Sequence, residues 1–150
     1  MGPSAVLTLY REQLLEHNRT PHRWGRLDAA DACAHGSNAL CGDELRIEIC
    51  SDHGRISDYA FEAEACAITT AVASILGDRV IGMDTAALES LHKAFERLLS
   101  GTGGQEPILG ELNAFADLAQ FPARRKCARL PLATLAAAML GQQTATTEAG

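Results

Sequence analysis

Three cysteines and one aspartate stand in sequence contexts that can close around a single metal ion. Cys41 and Asp43 lie two residues apart, and Cys66 and Cys127 follow far down the chain. Three thiols and one carboxylate suit a borderline-soft ion such as zinc in a tetrahedral cage, or iron in a thiolate-ligated cluster. Gly42 allows the tight backbone turn that lets the first two side chains face one point. The sequence therefore predicts a metal site formed by Cys41, Asp43, Cys66 and Cys127.

The remaining cysteines and histidines do not form a second ligand set. Cys33 and Cys50 are predicted to be small buried side chains, which is the default for a lone cysteine. The five histidines have no spacing that makes a ligand pair. His35 is the one histidine kept as a candidate extra donor, because it precedes the first ligand motif in the chain. His53 is predicted to be a turn residue.

Length, charge and cysteine spacing exclude several classes of protein. A chain of 150 residues fits one domain, residues 1–150, with enough buried surface for a real core. The net charge of −6 argues against nucleic-acid binding, because neutralising phosphates needs a basic face. No stretch has the length and apolarity of a membrane helix, and no signal-peptide pattern is present, so we expect a cytoplasmic protein without membrane contact. The odd count of five cysteines and the absence of a C-x-x-C pair disfavour a disulfide framework and a thioredoxin-like site.

The first quarter of the chain is predicted to form one helix and then a long loop. Apolar residues recur at helical spacing after Ser4, which can cap the helix, and Pro21 ends the pattern. Residues 20–39 are rich in Gly, Asp, His and small side chains, with Trp24 as their one large anchor. We therefore expect a covering loop there, and covering loops of that length are often functional.

A hairpin is predicted to bring two of the candidate ligands together. Apolar and polar residues alternate over residues 45–50 and 56–64, and the turn residues 51–54 lie between them. Cys41 precedes the first of these strands and Cys66 follows the second. Because the two open ends of an antiparallel hairpin lie side by side, these cysteines are expected to be neighbours.

The second half of the chain is predicted to be helical. The segments are a buried helix over residues 67–76, a helix capped by Asp84 or Thr85, an amphipathic piece over residues 108–118, and a helix that opens at Pro122. Pro131 is expected either to kink the last helix or to start a new one. Residues 1–4 and the polar tail 142–150 are expected to be flexible. These elements predict an α+β fold in which a small antiparallel sheet of about three strands packs against helices.

The ligand contexts resemble the U-type iron–sulfur cluster assembly scaffold family, whose members include IscU-like and NifU N-terminal-like proteins. The resemblance runs from Tyr10 to about Leu140. The segments that carry it are Tyr10-Arg11 with His17 and Pro21, Cys41-Gly42-Asp43, Phe61 to Ile68, and Phe121 to Ala128. A small α+β domain is the fold that this resemblance implies.

Details of the sequence resemble the SufU-like branch more than the IscU-like branch. An extra segment lies between Leu99 and Phe121, and Lys126 stands where IscU-like proteins carry a histidine. The chaperone motif Leu-Pro-Pro-Val-Lys of the IscU-like branch is absent. Two positions depart from the family pattern: Ala65 replaces the usual glycine before the second cysteine, and Leu40 replaces a small or polar residue before the first.

The resemblance implies a function in iron–sulfur cluster assembly. SufU-like proteins bind zinc through the three cysteines and the aspartate, accept persulfide sulfur from a pyridoxal-phosphate cysteine desulfurase, and stimulate that enzyme. Within that scheme Cys41 is our candidate sulfur acceptor, because a cysteine on a loop can leave the metal more easily than one on a helix. Arg124 and Lys126, beside Cys127, are candidate contacts to an acidic patch on the desulfurase. Downstream iron–sulfur assembly proteins are the other expected partners.

Three alternatives remain open from the sequence. The first is a scaffold on which an iron–sulfur cluster is transiently assembled at the same four residues and passed on. The second is a purely structural zinc module, since closed four-ligand sites are commonly structural. The third, a zinc hydrolase, is disfavoured because four protein ligands leave no open coordination position and the sequence offers no general base beside them.

Overall fold

The computed structural model describes residues 12–147, and their elements run in the order helix, three strands, two helices, a 3₁₀ segment, a helix and a strand. The helix α1 spans residues 12–19. The others are β1 (Ala32–Asn38), β2 (Asp43–Asp52), β3 (Arg55–Glu64), α2 (Ala67–Val80), α3 (Thr85–Ser100), the 3₁₀ segment (Pro107–Gln120), α4 (Pro122–Met139) and β4 (Thr144–Thr146). The predicted start of the first helix, including Ser4, lies outside the described residues. The predicted α+β fold is confirmed.

The predicted hairpin forms one side of the sheet, with β3 at the edge. Strands β2 and β3 pair antiparallel, with Glu44 opposite Glu64 at the open end. The turn that joins them places His53 and Gly54 at positive φ, +53° and +77°, as a tight two-residue hairpin turn requires. Ile47 and Phe61 face each other across the pair and are fully buried. The open end of this hairpin is where the candidate ligands meet.

The strand β1 corrects the expectation of a loop over residues 20–39. Residues 32–38 pair antiparallel with β2, so the sheet has a strand before the hairpin. Ala34, Gly36 and Asn38 are buried while His35 and Ser37 are exposed, which is strand periodicity carried by small or polar residues. The side chains are small because α4 packs directly on them. A methyl group on Gly36 would stand 1.9 Å from Thr134 Oγ1 on α4.

The loop that precedes β1 covers the free edge of β3. The backbone of Gly25 donates a hydrogen bond to the Phe61 carbonyl, and the Phe61 N–H donates to the Arg23 carbonyl. The ring of Trp24 meets the ring of Phe61 edge-on, with centroids 5.2 Å apart. This pairing satisfies backbone groups that an uncovered edge strand would expose. The predicted role of Trp24 as the anchor of the loop is thus consistent with its packing.

The strand β4 corrects the expectation of a flexible tail from residue 142. Thr144–Thr146 pairs parallel with β1, which gives a four-stranded sheet in the order β3-β2-β1-β4 instead of about three strands. Ala145 packs against the core, so even this polar segment contributes an apolar contact. Thr147, the residue after the strand, is buried. The last described residues therefore belong to the folded sheet.

Of the predicted helices, α2 and α4 pack against the sheet, and α3 packs against α4 and the 3₁₀ segment. Asp84 caps α3 by accepting a hydrogen bond from the Ala87 N–H, and Gly101 ends that helix in the left-handed conformation. The predicted amphipathic piece is a 3₁₀ segment with a kink at Gly110. Pro131 lies inside α4, so no new helix begins there. None of the helices in residues 12–147 is long and apolar enough to cross a membrane.

Candidate metal centre

Asp43 is held rigidly where β2 begins, beside the N-terminus of α2. Its side chain is 0% exposed. Oδ1 accepts a 2.7 Å hydrogen bond from the backbone N–H of Cys66, and Oδ2 accepts a 2.9 Å bond from the hydroxyl of Thr69. The carboxylate thus caps a helix from a neighbouring strand, where free N–H groups and the helix dipole favour negative charge. A buried carboxylate with its orientation fixed in this way is well prepared to bind a cation.

Cys41 lies on the four-residue turn that joins β1 to β2. Its backbone N–H donates to the Asn38 carbonyl at 3.1 Å, and the Gly42 N–H donates to the Ala39 carbonyl at 3.2 Å. Gly42 adopts φ of +71°, a conformation that side chains disfavour, so the predicted need for glycine here is met. Cys41 is exposed, and Leu40 beside it exposes 77% of its surface. The first candidate ligand is therefore the one that a partner can reach.

Cys66 occupies the N-cap position of α2, directly after the last residues of the hairpin. Its Sγ lies 3.7 Å from Asp43 Oδ2 and 3.4 Å from Thr69 Oγ1. The thiol is half-buried. The helix dipole and the free N–H groups at this terminus suit an anionic metal ligand.

Cys127 is the sixth residue of α4, which begins at Pro122 as predicted. It is buried, and its Sγ lies 3.6 Å from the Ala123 carbonyl. Burial raises the pKa of the Cys127 thiol, and hydrogen bonds to Cys41 and Asp43 raise it further. A bound cation acts in the opposite direction, because a coordinating thiol loses its proton.

The fold brings three of the four predicted ligands into one cluster. Ligand atoms of Cys41, Asp43 and Cys127 all lie within 4.8 Å of one another. Cys66 is not part of that set of three, but its Sγ approaches Asp43 Oδ2 to 3.7 Å. With zinc bonds of about 2.3 Å to sulfur and 2.0 Å to oxygen, ligand atoms of a tetrahedral site stand about 3.5 Å apart. The side chains of Cys41, Asp43 and Cys127 therefore fit an ion of this kind after a contraction of about 1 Å.

Other predicted donors lie outside the cluster. Within residues 12–147, no other group of three His, Cys, Asp or Glu side chains comes as close together. His35 is on β1, opposite Arg46 of β2, and is not in the cluster. Cys33 and Cys50 are half-buried, and the Cys50 thiol donates to the Ala29 carbonyl at 3.3 Å.

The basic run before Cys127 has three different environments. Arg124 is exposed on the first turn of α4, while Arg125 and Lys126 are half-buried. The Arg125 Nε is buried and has no hydrogen-bond partner among residues 12–147. The Lys126 carbonyl accepts a 2.9 Å bond from the hydroxyl of Thr147. Of the two predicted partner contacts, Arg124 is the more accessible.

Sequence reasoning missed two polar residues that hold the cluster. Thr69 contacts Asp43 and Cys66, and its hydroxyl also lies 3.1 Å from the Cys127 carbonyl. Thr147 links the Lys126 carbonyl to the amide of Asn38, at 2.9 Å and 3.5 Å. A threonine three residues after a ligand at a helix N-terminus could have signalled the first of these roles. No local signal marks the second.

Comparison with known proteins identifies the family. The sequence family described as the NifU-like N-terminal domain matches residues 9–128, which include all four candidate ligands. The chain belongs to this family. The predicted resemblance is thereby confirmed, and β4 with Thr147 lies beyond the matched residues.

Two relatives carry the names of the two branches that the sequence resembles, IscU and SufU. The iron–sulfur cluster assembly scaffold protein IscU of Streptococcus pyogenes serotype M1 is 33% identical over 131 residues, which cover 87% of this chain and 82% of that protein. The zinc-dependent sulfurtransferase SufU of Bacillus subtilis (strain 168) is 33% identical over 124 residues, covering 82% of this chain and 84% of that protein. The chain is thus a member of the IscU and SufU group of iron–sulfur cluster assembly scaffolds, and similarity to a SufU is consistent with the predicted branch.

A solved structure shares the fold. The crystal structure of the N-terminal part of a nitrogen-fixing NifU-like protein from Brucella abortus matches with a TM-score of 0.81 at 26% identity. The match covers 88% of this chain and 92% of that one. The arrangement of sheet and helices around the candidate centre is therefore that of the family.

Proposed function

We propose that this protein is a zinc-bound sulfur acceptor in iron–sulfur cluster assembly, which takes persulfide sulfur from a cysteine desulfurase and stimulates that enzyme. Cys41, Asp43, Cys66 and Cys127 would hold the zinc. The observation that carries the proposal is the contrast in exposure among the ligands. Cys41 is exposed on a turn, whereas Asp43 and Cys127 are buried and Cys66 is half-buried at a helix terminus. Such a site keeps three donors in place while one can leave the ion.

Transfer of sulfur to Cys41 needs no redox partner. The Cys41 thiolate attacks the outer sulfur of the desulfurase persulfide, and a new S–S bond forms as the S–S bond of the donor breaks. The desulfurase cysteine leaves with the electron pair as a thiolate. When zinc is bound, it keeps the cysteine ligands deprotonated at neutral pH. Cys41 lies in the turn between β1 and β2, outside the strands on either side.

The surface around Cys41 supports contact with a partner. Leu40 supplies an exposed apolar side chain next to the acceptor, and Arg124 supplies an exposed positive charge on the helix that bears Cys127. The protein is acidic overall, so the positive charge of Arg124 gives this surface a sign opposite to the net charge of the protein. We assign Arg124 and Lys126 to contact with an acidic patch on the desulfurase.

A second candidate function has its own support. The same four residues can hold an iron–sulfur cluster as cargo, since thiolates are the usual ligands of such clusters. The relatives named as IscU scaffolds favour this alternative. Both functions use Cys41, but only the cluster scaffold holds iron and sulfide together.

Metal content and desulfurase stimulation, measured on one preparation, test the proposal. The protein is purified without added metal, with a second sample kept anaerobic, and Cys41→Ala is compared with the control Cys33→Ala. We expect one zinc per chain, and stimulation that Cys41→Ala loses and Cys33→Ala keeps. Iron with labile sulfide in the anaerobic sample would favour the cluster scaffold instead. A Cys41→Ala protein that fails to fold would favour a structural zinc module, and circular dichroism detects this outcome.

A further inference from the structure

Pro131 leaves the backbone carbonyl of Cys127 without its usual helical hydrogen-bond donor. In an α-helix the carbonyl of each residue accepts a hydrogen bond from the N–H four residues later. The residue four positions after Cys127 is Pro131, which has no N–H. Pro131 is buried inside α4, so water cannot readily replace the missing donor. The Cys127 carbonyl therefore needs a hydrogen-bond donor from another element.

The hydroxyl of Thr69 fills this need from the first turn of α2. Its Oγ1 lies 3.1 Å from the Cys127 carbonyl, 2.9 Å from Asp43 Oδ2 and 3.4 Å from Cys66 Sγ. The side chain is 0% exposed. One buried hydroxyl thus touches three of the four candidate ligands, although it is not itself a ligand.

We propose that Thr69 is a positioning residue of the metal centre, which aligns Asp43 and Cys127 through one shared hydroxyl, and that Pro131 creates the carbonyl acceptor that ties this hydroxyl to Cys127. The inference rests on the metal centre of the proposed function and adds residues that hold the ligands. Because α2 carries Thr69 and α4 carries Cys127, the contact fixes the spacing between these two helices at the site.

The chemistry of a hydroxyl explains why both contacts matter. A threonine hydroxyl donates only one hydrogen bond at a time, and here two acceptors compete for it. Loss of the hydroxyl removes the single donor that two buried acceptors, Asp43 Oδ2 and the Cys127 carbonyl, share. Removing a residue that hydrogen-bonds a metal ligand typically weakens metal binding about 10–100-fold.

Thr69→Val is the decisive variant, since valine keeps the branched shape and removes the hydroxyl. Thr69→Ser restores a hydroxyl, and Thr70→Val makes the same chemical change one residue further along α2. Zinc dissociation constants are measured by competition with a chromophoric chelator, and the absorption spectrum of the cobalt-substituted protein reports the ligand geometry. We expect Thr69→Val to weaken zinc binding about 10–100-fold with shifted cobalt bands. Thr69→Ser and Thr70→Val should bind zinc within about threefold of the unmodified protein.

A second comparison tests the role of Pro131 without metal. Pro131→Ala restores an N–H that can reach the Cys127 carbonyl, so it should raise the urea midpoint of the metal-free protein more in the Thr69→Val background than in the unmodified background. If Thr69→Val alone folds poorly, the double variant supplies the protein for the zinc and cobalt measurements, where the weakened binding is still expected because Asp43 lacks its donor.

The outcomes separate this inference from the proposed function. Zinc bound by the unmodified protein and by Thr69→Val with equal affinity and equal cobalt spectra would overturn the inference and leave the proposed function standing. Absence of zinc from the unmodified protein would overturn the zinc function and, with it, the role of Thr69 at a metal centre. Equal effects of Pro131→Ala in both backgrounds would overturn the link between Pro131 and Thr69.

Discussion

A methyl group on Gly36 should separate α4 from the sheet. Gly36 lies on β1, and a Cβ atom there would stand 1.9 Å from Thr134 Oγ1 and 2.9 Å from Leu45 Cδ2. Neither contact is compatible with packed atoms. Because Thr134 and Leu45 are buried and the Thr134 hydroxyl donates to the Leu130 carbonyl, turning either side chain away loses packing or this hydrogen bond, and otherwise α4 or β1 must shift. Because Cys127 is on α4 and Cys41 follows β1, this shift also acts on the candidate metal centre.

The expected loss for Gly36→Ala follows from two opposing terms. Overpacking a filled core costs about 1–3 kcal/mol, and a contact of 1.9 Å belongs at the upper end. Alanine in a strand returns about 0.5–1 kcal/mol relative to glycine. The net loss is about 2 kcal/mol, which lowers the melting temperature by about 4–8 °C for a chain of this size.

Urea unfolding measures this loss against a matched control. Gly104→Ala makes the same substitution where a Cβ meets nothing within 4 Å, and its free energy of unfolding should stay within about 0.5 kcal/mol of that of the unmodified protein. Thr134→Ala removes the atom that Gly36→Ala strikes, so the double variant should lose less than the sum of the two single losses. The reasoning is refuted if Gly36→Ala is as stable as Gly104→Ala, or if the two changes at Gly36 and Thr134 are additive.

Two further predictions concern buried polar groups. Burial raises the pKa of Tyr59, whose hydroxyl donates to the Ala73 carbonyl at 2.9 Å, so the folded state keeps its proton where the unfolded state loses it above about pH 10. The contribution of Tyr59 to the free energy of unfolding is therefore fully present below about pH 10 and falls as the pH rises. Between about pH 9 and 11, the urea midpoint of Tyr59→Phe should fall less steeply with pH than that of the unmodified protein. An equal slope would contradict this prediction. Thr147→Val removes the donor to the Lys126 carbonyl and should cost about 1 kcal/mol in urea unfolding, whereas no loss would mean that β4 does not secure the site.

The sequence predicts the hairpin and most helices because their patterns are strong and local. Ile47 and Phe61 belong to alternating runs, and Asp84 and Gly101 mark the start and end of α3. The strand β1 escapes prediction because close packing of α4 requires small residues there, and small residues such as Gly36 carry no apolar alternation. The turn predicted within residues 51–54 is found at residues 53 and 54, because β2 continues to Asp52.

The candidate ligands can be predicted from the sequence, but the residues that hold them in position cannot. The motifs around Cys41, Cys66 and Cys127 are short continuous segments, so the sequence alone carries the resemblance. The contact between Thr69 and the Cys127 carbonyl joins residues that are 58 positions apart. Such a contact depends on how α2 and α4 cross, which no local pattern encodes. The strand β4 likewise depends on pairing with β1, because its own mostly polar residues carry no strand pattern.

The most direct test of the account is to find which cysteine carries sulfur after reaction with a cysteine desulfurase. The zinc-loaded protein is incubated with the desulfurase and cysteine, free persulfides are alkylated, and the peptides are analysed by mass spectrometry. We predict the mass of one added sulfur atom on the peptide that contains Cys41, and no transfer to Cys41→Ser. Sulfur on Cys66 or Cys127 with Cys41 unmodified, or full transfer to Cys41→Ser, would contradict it.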